Sequence, residues 1–425
     1  MSALNTKRSQ KPEKKKYPEL NSLWLGLFVD IFGFYILIPY LPDLIDVYKT
    51  TPLVIGLLLA TNAIFSLFSA PLWGRLSDKF GRRPILLIAE TGTFSAFLIL
   101  AFSNSLFLFF VARIVDGIFG GNYPITKAII TDSVPPRERG LQMTNIGVAH
   151  TLAGLLAPGL AGFLSIFQIF GQDYPLALPG LVSASFSLVT IIITFFFIKE
   201  SWPKSKREKT EKEVKIKFKL VNNKDALYSL TQFAFHTLSF IMYVSTLSIF
   251  IKLILGLDIL GVSLFLLLSG VSRAIIRFTL FKPTIRILGE KKMKILGLSI
   301  LTVVFILIGI FGAFYPEPWI FIVLMVFASY GVSCARGLMM GKVTETVSPK
   351  EIGKINGYTS TLDSLAQIFG PILGTFLLSP PLVSPFLFGL IMGMLAFVAL
   401  IMVFKKIIPY MEKIETNFQD PGYPK

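Results

Sequence analysis

Long apolar runs alternate with short polar gaps, most of them basic, along nearly the whole chain. Twelve runs stand out, at residues 22–41, 52–73, 84–103, 106–131, 140–165, 176–198, 224–254, 260–281, 293–314, 318–342, 352–377 and 383–405. Each meets or exceeds the roughly 20 residues that an α-helix needs to cross a hydrocarbon core. The pattern therefore predicts an all-α integral membrane protein with twelve transmembrane helices. Links such as Ser103-Asn104-Ser105 and Pro316-Glu317-Pro318 force neighbouring spans to run antiparallel. An even number of spans places both termini on one side.

Composition agrees with a bilayer setting. Of the 425 residues, 53% are hydrophobic and only 16% charged, and the mean hydropathy is +0.68, too apolar for a soluble chain of this length. The net charge of +16 does not point to nucleic acid, because the basic residues lie in gaps between apolar runs instead of gathering on a polar face. Their distribution reports topology. With run ends counted with the adjoining loops, Lys49 and Lys252 fall on one side and Arg113, Lys127, Arg273, Arg277 and Arg336 fall within runs, while the other 34 of 41 Lys and Arg share the opposite side. The positive-inside rule makes that side cytoplasmic, with both termini there. The single cysteine, Cys334, rules out an internal disulfide and a thiolate metal cluster. No metal and no cofactor are expected. The polar segments hold no nucleotide-binding glycine loop and no nucleophile constellation, which argues against an enzyme or an ATP-driven pump.

The runs divide into two sets. A polar, Lys-rich tail over 1–21 precedes a first six-helix bundle over 22–198. A basic linker over 199–223 leads to a second bundle over 224–405, followed by a tail over 406–425. The first tail shows no cleavage-site pattern and is expected to stay on the chain. An internal repeat supports the division: Thr131-Asp132-Ser133-Val134-Pro135-Pro136-Arg137-Glu138-Arg139-Gly140 matches Thr344-Glu345-Thr346-Val347-Ser348-Pro349-Lys350-Glu351-Ile352-Gly353 without a gap at an offset of 213 residues, and the same offset carries Pro158 onto Pro371. Paired repeats of this kind place a substrate site between the halves, near the bilayer midplane.

Between runs two and three stands Gly74-Arg75-Leu76-Ser77-Asp78-Lys79-Phe80-Gly81-Arg82-Arg83-Pro84. It reads as a short, stiff turn in which both glycines permit sharp bends and Asp78 meets a helix N-terminus or the guanidiniums of Arg82 and Arg83. Gly-x-x-x-Asp-x-x-Gly-Arg-Arg between two spans resembles the signature loop of the major facilitator superfamily. Phe80-Gly81-Arg82-Arg83-Pro84, Ala112-Arg113-Ile114-Val115 and the loop from Asp132 to Gly140 look most like the drug/proton antiporter branch that includes the tetracycline exporters. The acidic residue expected late in helix 3 of those exporters is absent, where this chain reads Phe94-Ser95-Ala96-Phe97. Gly154-x-x-x-Pro158-x-x-x-Gly162 in helix 5 resembles the motif shared by antiporters of the family, with Ala157 in place of the usual glycine before the proline. The resemblance implies a conformational-switch role for Gly74, Asp78, Gly81, Arg82 and Arg83.

Ionisable residues inside a bilayer are costly and usually face a cavity or a partner. Asp30, about eight residues or roughly 12 Å into the first run at 1.5 Å per residue, is the leading proton-site candidate, against the alternative of a packing hydrogen bond. Arg113 and Asp116, three apart, share a helix face and can pair. The resemblance makes Arg113 the residue that tunes a neighbouring carboxylate's hold on a proton, and a permanent structural pair is the competing reading. Candidates for a substrate cavity are Asp30, His150, Gln232, His236, Arg273, Asp363 and Gln367. Snorkelling towards the interface accounts for Arg277 and Arg336, and contact with the basic loop for Glu90.

The expected protein is a monomeric secondary transporter of the plasma membrane. It moves a small organic solute by alternating access, most concretely by proton-coupled efflux of drug-like compounds, with protons, a small-molecule substrate and membrane lipids as its partners and no nucleic acid. A transporter of anionic or zwitterionic metabolites, relying on Arg273 and Arg336, is the first rival. A non-transporting receptor or lipid-handling scaffold is a rival of another class.

Overall fold

A computed structural model describes residues 17, 20–167, 171, 174–203, 223–348, 351–405, 409 and 412–413. Most of the expected 199–223 linker and of both tails lies outside the described residues, as do the side chains at 136–141, 143 and 144. Twelve spanning helices follow the apolar runs. They are α1 (Asn21–Leu37), α2 (Pro52–Phe80), α3 (Arg82–Ala101), α4 in two pieces (Leu106–Ile118 and Asn122–Ser133), α5 (Pro136–Leu164), α6 (Ala177–Phe197), α7 (Lys224–Leu255), α8 (Ile259–Ile275), α9 (Phe281–Phe314), α10 (Pro318–Thr344), α11 (Ile352–Leu377) and α12 (Pro385–Ile401). A short helix, Asp43–Val47, lies between α1 and α2. Among the described residues there is no strand.

Local chemistry sets the helix starts. Proline opens α2, α5, α10 and α12, where its missing N–H costs nothing. Side-chain oxygens of Ser105, Asn223 and Asp258 accept backbone N–H bonds at the starts of α4, α7 and α8, satisfying donors that the helix leaves free. Between α8 and α9 the chain passes through a π-turn, Ile276–Leu280, and folds back at Gly289 (φ 71°). Among the described residues, ten stretches are long and apolar enough to span a membrane, and one of them, Ile259–Phe314, supplies two crossings through that fold-back. α11 is not among the ten. Its Asp363 and Gln367, set among serines and threonines, lower its hydropathy below that of its neighbours.

The signature segment is tighter than its sequence suggests. Gly74 is helical, within α2, and the turn is Gly81 alone (φ 110°, ψ 156°), a conformation that an L side chain rarely adopts.

α1–α6 form one bundle and α7–α12 the other. The two meet along α5 against α8 and α2 against α11. Along the first seam the backbones nearly touch: a Cβ on Gly270 would lie 2.5 Å from Gly154 O. Small residues make such crossings possible where lipid offers no hydrophobic drive between helices. Along the second, a Cβ on Gly56 would lie 2.7 Å from Pro371 O. Near the Gly81 turn, by contrast, nothing lies within 4 Å of a Cβ on Gly74, Gly337, Gly341, Gly353 or Gly357.

Core packing has the same polarity. One apolar cluster runs through both bundles at the far end, joining Phe32, Ile36, Leu58 and Phe109 to Phe250, Phe305 and Phe388. At the Gly81 end each bundle has its own cluster. The protein is thus closed on the side opposite the Gly81 turn and open on the Gly81 side.

Candidate functional site

The Gly81 turn is built as an ionic knot within the first bundle. Arg82 is 7% exposed; its Nε donates to Asp132 Oδ2 at 2.9 Å and its Nη1 to Ser77 Oγ at 2.7 Å and Asp78 Oδ1 at 2.5 Å. Glu200, just beyond α6, accepts from the backbone N–H groups of Arg82 (2.9 Å) and Arg83 (3.2 Å), placing a carboxylate on the N-terminus of α3 where the helix dipole favours it. Arg83 Nη2 donates to Phe195 O. The knot ties α2, α3, α4 and the end of α6 together. The Asp78 side chain remains 61% exposed, with no partner in the second bundle among the described residues.

The first bundle also holds three carboxylates within its spans, Glu90 buried and Asp30 and Asp116 half-buried. Asp30 in α1 accepts a short hydrogen bond from Asn122 Nδ2 through Oδ2, while its Oδ1 is buried without a partner, as is Asn122 Oδ1. No basic side chain lies within ion-pair distance of Asp30 among the described residues. Asn122 opens the second piece of α4, after the break at Gly120-Gly121, and its Nδ2 also faces Thr93 Oγ1 in α3 at 3.4 Å. Asp116 in α4 accepts from Asn62 Nδ2 of α2 at 2.8 Å and lies 3.3 Å from Arg113 Nη1. Arg113 is 3% exposed, and its Nε and Nη2 lack partners. Glu90 is not at the basic loop: it is buried between α1 and α6, with Oε1 accepting from Thr194 Oγ1 at 2.8 Å and Oε2 unpartnered.

The second bundle presents cations to the opening. Arg336 (α10) does not snorkel. Its Nη2 meets Asp363 Oδ1 (α11) at 2.8 Å, with the two side chains 33% and 29% exposed, and its guanidinium lies over the rings of Phe233 and Phe240. Arg273 in α8 and Arg277 in the π-turn reach across to α5, and among the described residues neither has an ion-pair partner. Arg277 Nη2 would lie 2.8 Å from a Cβ on Gly147, and Arg273 Nη1 3.8 Å from one on Gly154. His150 in α5 is exposed and within electrostatic reach of Arg273, Arg277 and Arg336. Tyr123 and Lys127 of α4 pair through a cation–π contact at 4.3 Å and face Asp363 from the first bundle.

Of the residues singled out in the sequence, the structure brings His150, Arg273 and Asp363 to the inter-bundle opening. Gln367 lies exposed one turn from Asp363 on the same face. Gln232 and His236 do not reach it. Gln232 is buried, donating to Ala399 O of α12 at 2.8 Å, and His236 is fully buried beside Phe240 with neither nitrogen hydrogen-bonded. Asp30 sits behind Asn122, inside the first bundle. Gly154, Pro158 and Gly162 line the α5/α8 seam. Sequence reading missed Asn122, whose signal was an amide placed directly after a Gly-Gly break in a span, and also Lys127 and Glu200.

Three charges fasten the closed side. Lys252 Nζ of α7 meets Asp43 and lies 3.0 Å from Asp46 Oδ2, both in the short helix after α1. Burial raises the Asp43 carboxyl above its ordinary range, and the Lys252 ammonium draws it back down. Leu53 N donates to Ser379 Oγ at 2.8 Å nearby.

With this geometry in place, the comparisons are specific. The sequence profile of the Major Facilitator Superfamily matches residues 23–306 and 234–420. The class D tetracycline resistance protein of Salmonella ordonez is 27% identical over 357 residues, which cover 83% of this chain and 87% of that protein. The multidrug resistance protein MdtG of Salmonella schwarzengrund is 26% identical over 375 residues, covering 84% and 87%. The crystal structure of the human organic anion transporter MFSD10 (TETRAN) superposes with a TM-score of 0.67 at 21% identity, covering 91% of this chain and 100% of that one.

Proposed function

Because this chain belongs to the Major Facilitator Superfamily and is a multi-pass membrane transporter, we propose that it exports drug-like organic solutes across the plasma membrane in exchange for protons, by rocking of the two bundles about the cavity between them. The basic side of the chain, which carries the Gly81 turn and both tails, faces the cytoplasm in this reading. The protein then stands in its inward-open state, fastened outside by Lys252, Asp43 and Asp46.

One observation carries the proton assignment. Asp30 is a half-buried carboxyl with a hydrogen-bond donor on Oδ2, a buried Oδ1 without a partner, and no basic group within ion-pair distance among the described residues. An ionised carboxylate in that place lacks both counter-charge and solvation. A proton on Oδ1 supplies the missing donor: the acid O–H pairs with the idle Asn122 Oδ1 while Asn122 Nδ2–H keeps its bond to Oδ2, and both orphaned atoms are satisfied at once. Loss of the proton leaves Asn122 holding a bare charge, which favours a rearrangement at the break of α4. Asp116 is less suited to carry the proton, since Arg113 and Asn62 already stabilise its ionised form. Arg113 and Asp116 act in this scheme as the fixed charges beside which Asp30 titrates. The similarity to tetracycline and multidrug resistance proteins supports efflux as the direction.

The test is a proteoliposome assay with an imposed pH gradient and a panel of drug-like cations and anions, reading solute flux together with the pH inside the vesicles. The wild-type protein should couple the two, and Asp30→Asn should abolish the gradient-driven part while leaving the protein monodisperse. Gradient-driven flux that survives Asp30→Asn would remove Asp30 from the mechanism.

A further inference from the structure

The second bundle carries a feature that proton coupling does not use. Among the described residues, Arg273 and Arg277 have no carboxylate within ion-pair distance, whereas Arg336 one helix away is matched to Asp363. An unpaired guanidinium within a membrane bundle is expensive and is kept where something else supplies the anion. Arg273 also stands at the edge of a cavity between the bundles, with walls that include Tyr35, Pro158, Leu247 and Leu266, while Ser269, one turn before Arg273, contributes a buried hydroxyl without a partner. Arg273 and Ser269, one turn apart on α8, thus line one narrow cleft whose other walls are mostly apolar. Lys127, Arg277 and His150 lie on the same opening, where Asp363, among the described residues, is already bound to Arg336. In the first bundle Glu90 is buried on Thr194, and the half-buried Asp30 and Asp116 are engaged by Asn122 and by Asn62 and Arg113.

We propose that the cavity takes an amphipathic organic anion, a carboxylate or sulfonate on an apolar body, with the anionic head on Arg273 and Ser269 and the body between Pro158, Leu247 and Leu266. This deepens the transport reading, on which it rests for treating the inter-bundle cavity as the transport cavity. Planar, bidentate recognition suits a guanidinium and an oxyanion, and the cleft's apolar walls favour a hydrophobic body over a polyhydroxylated one. Tyr35 and Pro158 belong to the first bundle and Arg273 and Ser269 to the second, so one bound molecule touches both moving parts.

Two probes of the same shape test the idea: radiolabelled phenylbutyrate and phenylbutylamine, measured for equilibrium binding to the full-length purified protein. The anion should bind about tenfold or more tightly than the amine, in line with a charge-assisted contact. Arg273→Gln should erase that preference, Arg273→Lys should restore part of it, and Ser269→Ala should weaken the anion alone. Equal anion binding by wild type and a monodisperse Arg273→Gln, or a preference for the amine, would overturn the proposal. The same proteins in liposomes separate the two readings. Proton-driven flux of the amine but not of the acid would leave the transporter standing and remove the anion. Arg273-dependent binding of the acid without any proton-driven flux would keep the anion and remove proton coupling.

Discussion

The two bundles share a fold and differ in how they keep their charges. In the first, acids are held by partners inside the bundle: Asp30 on Asn122, Asp116 beside Arg113 and Asn62, Glu90 on Thr194. In the second, bases face the opening between the bundles: Arg273 and Arg277 without counter-charges among the described residues, Arg336 with Asp363. The 213-residue repeat offset makes the contrast specific, for it carries Tyr123 onto Arg336 and His150 onto Asp363. Positions that hold an ion pair in the second bundle hold a phenol and an imidazole in the first. The scaffold was duplicated and the charges were not. The contrast matches the proposed division of labour, with the proton site in the first bundle and the anion-binding Arg273 in the second.

The sharpest way to break that division is to neutralise one acid on each side. Asp30→Asn should eliminate solute flux driven by a pH gradient, whereas Asp363→Asn should leave the coupling intact and change affinity, because it releases Arg336 into the cavity. Equal loss of coupling in both, in paired flux and vesicle-pH recordings, would contradict the assignment.

A smaller effect separates structural from functional arginines. Arg82→Ala leaves Asp132, a side chain only 9% exposed, without its counter-charge, and should cost about 3 kcal/mol of stability, as breaking a buried pair does. Arg336→Ala, in a pair about one-third exposed, should cost no more than about 1 kcal/mol while altering solute affinity. Thermal unfolding in detergent, read beside a binding assay, would distinguish them.

The mildest expected change concerns the closed side. Lys252→Gln removes the charge that bridges to Asp43 and Asp46, a partly exposed cluster, and should shift the balance towards the opposite state by about 1 kcal/mol, or roughly fivefold in population. Spin labels at Gly74→Cys and Gly353→Cys, in a protein whose Cys334 is replaced by Ser, would report this as a growing short-distance fraction on the Gly81 side.

Much of this architecture was legible before any coordinates. Apolar run lengths located twelve helices, with most ends within a few residues but α2 running on to Phe80 and α9 starting at Phe281 instead of 293, and the clash-free turn had to fall at a glycine of the Gly74–Pro84 segment. Which glycine was less plain, since Gly74 continues α2 and only Gly81 turns. Periodicity could not say which face of a helix meets the cavity when the helix is apolar all round, which is why Gln232 and His236, on the buried side of α7, read as cavity residues. Pairings across helices were equally hidden. Arg336 and Asp363 are 27 residues apart and Asp30 and Asn122 are 92, separations that carry no local signal. Glu200 was hidden for the same reason, being joined to Arg82 only by the way α6 returns beside α3.

Infrared difference spectroscopy on the purified protein would address the central claim most directly, by recording the carbonyl stretch of protonated carboxylic acids as pH is raised. The account predicts a band that vanishes on deprotonation, is missing from Asp30→Asn, and moves in frequency in Asn122→Leu, where the amide partner is gone. A spectrum of Asp30→Asn indistinguishable from that of the wild type would show that Asp30 never carries the proton.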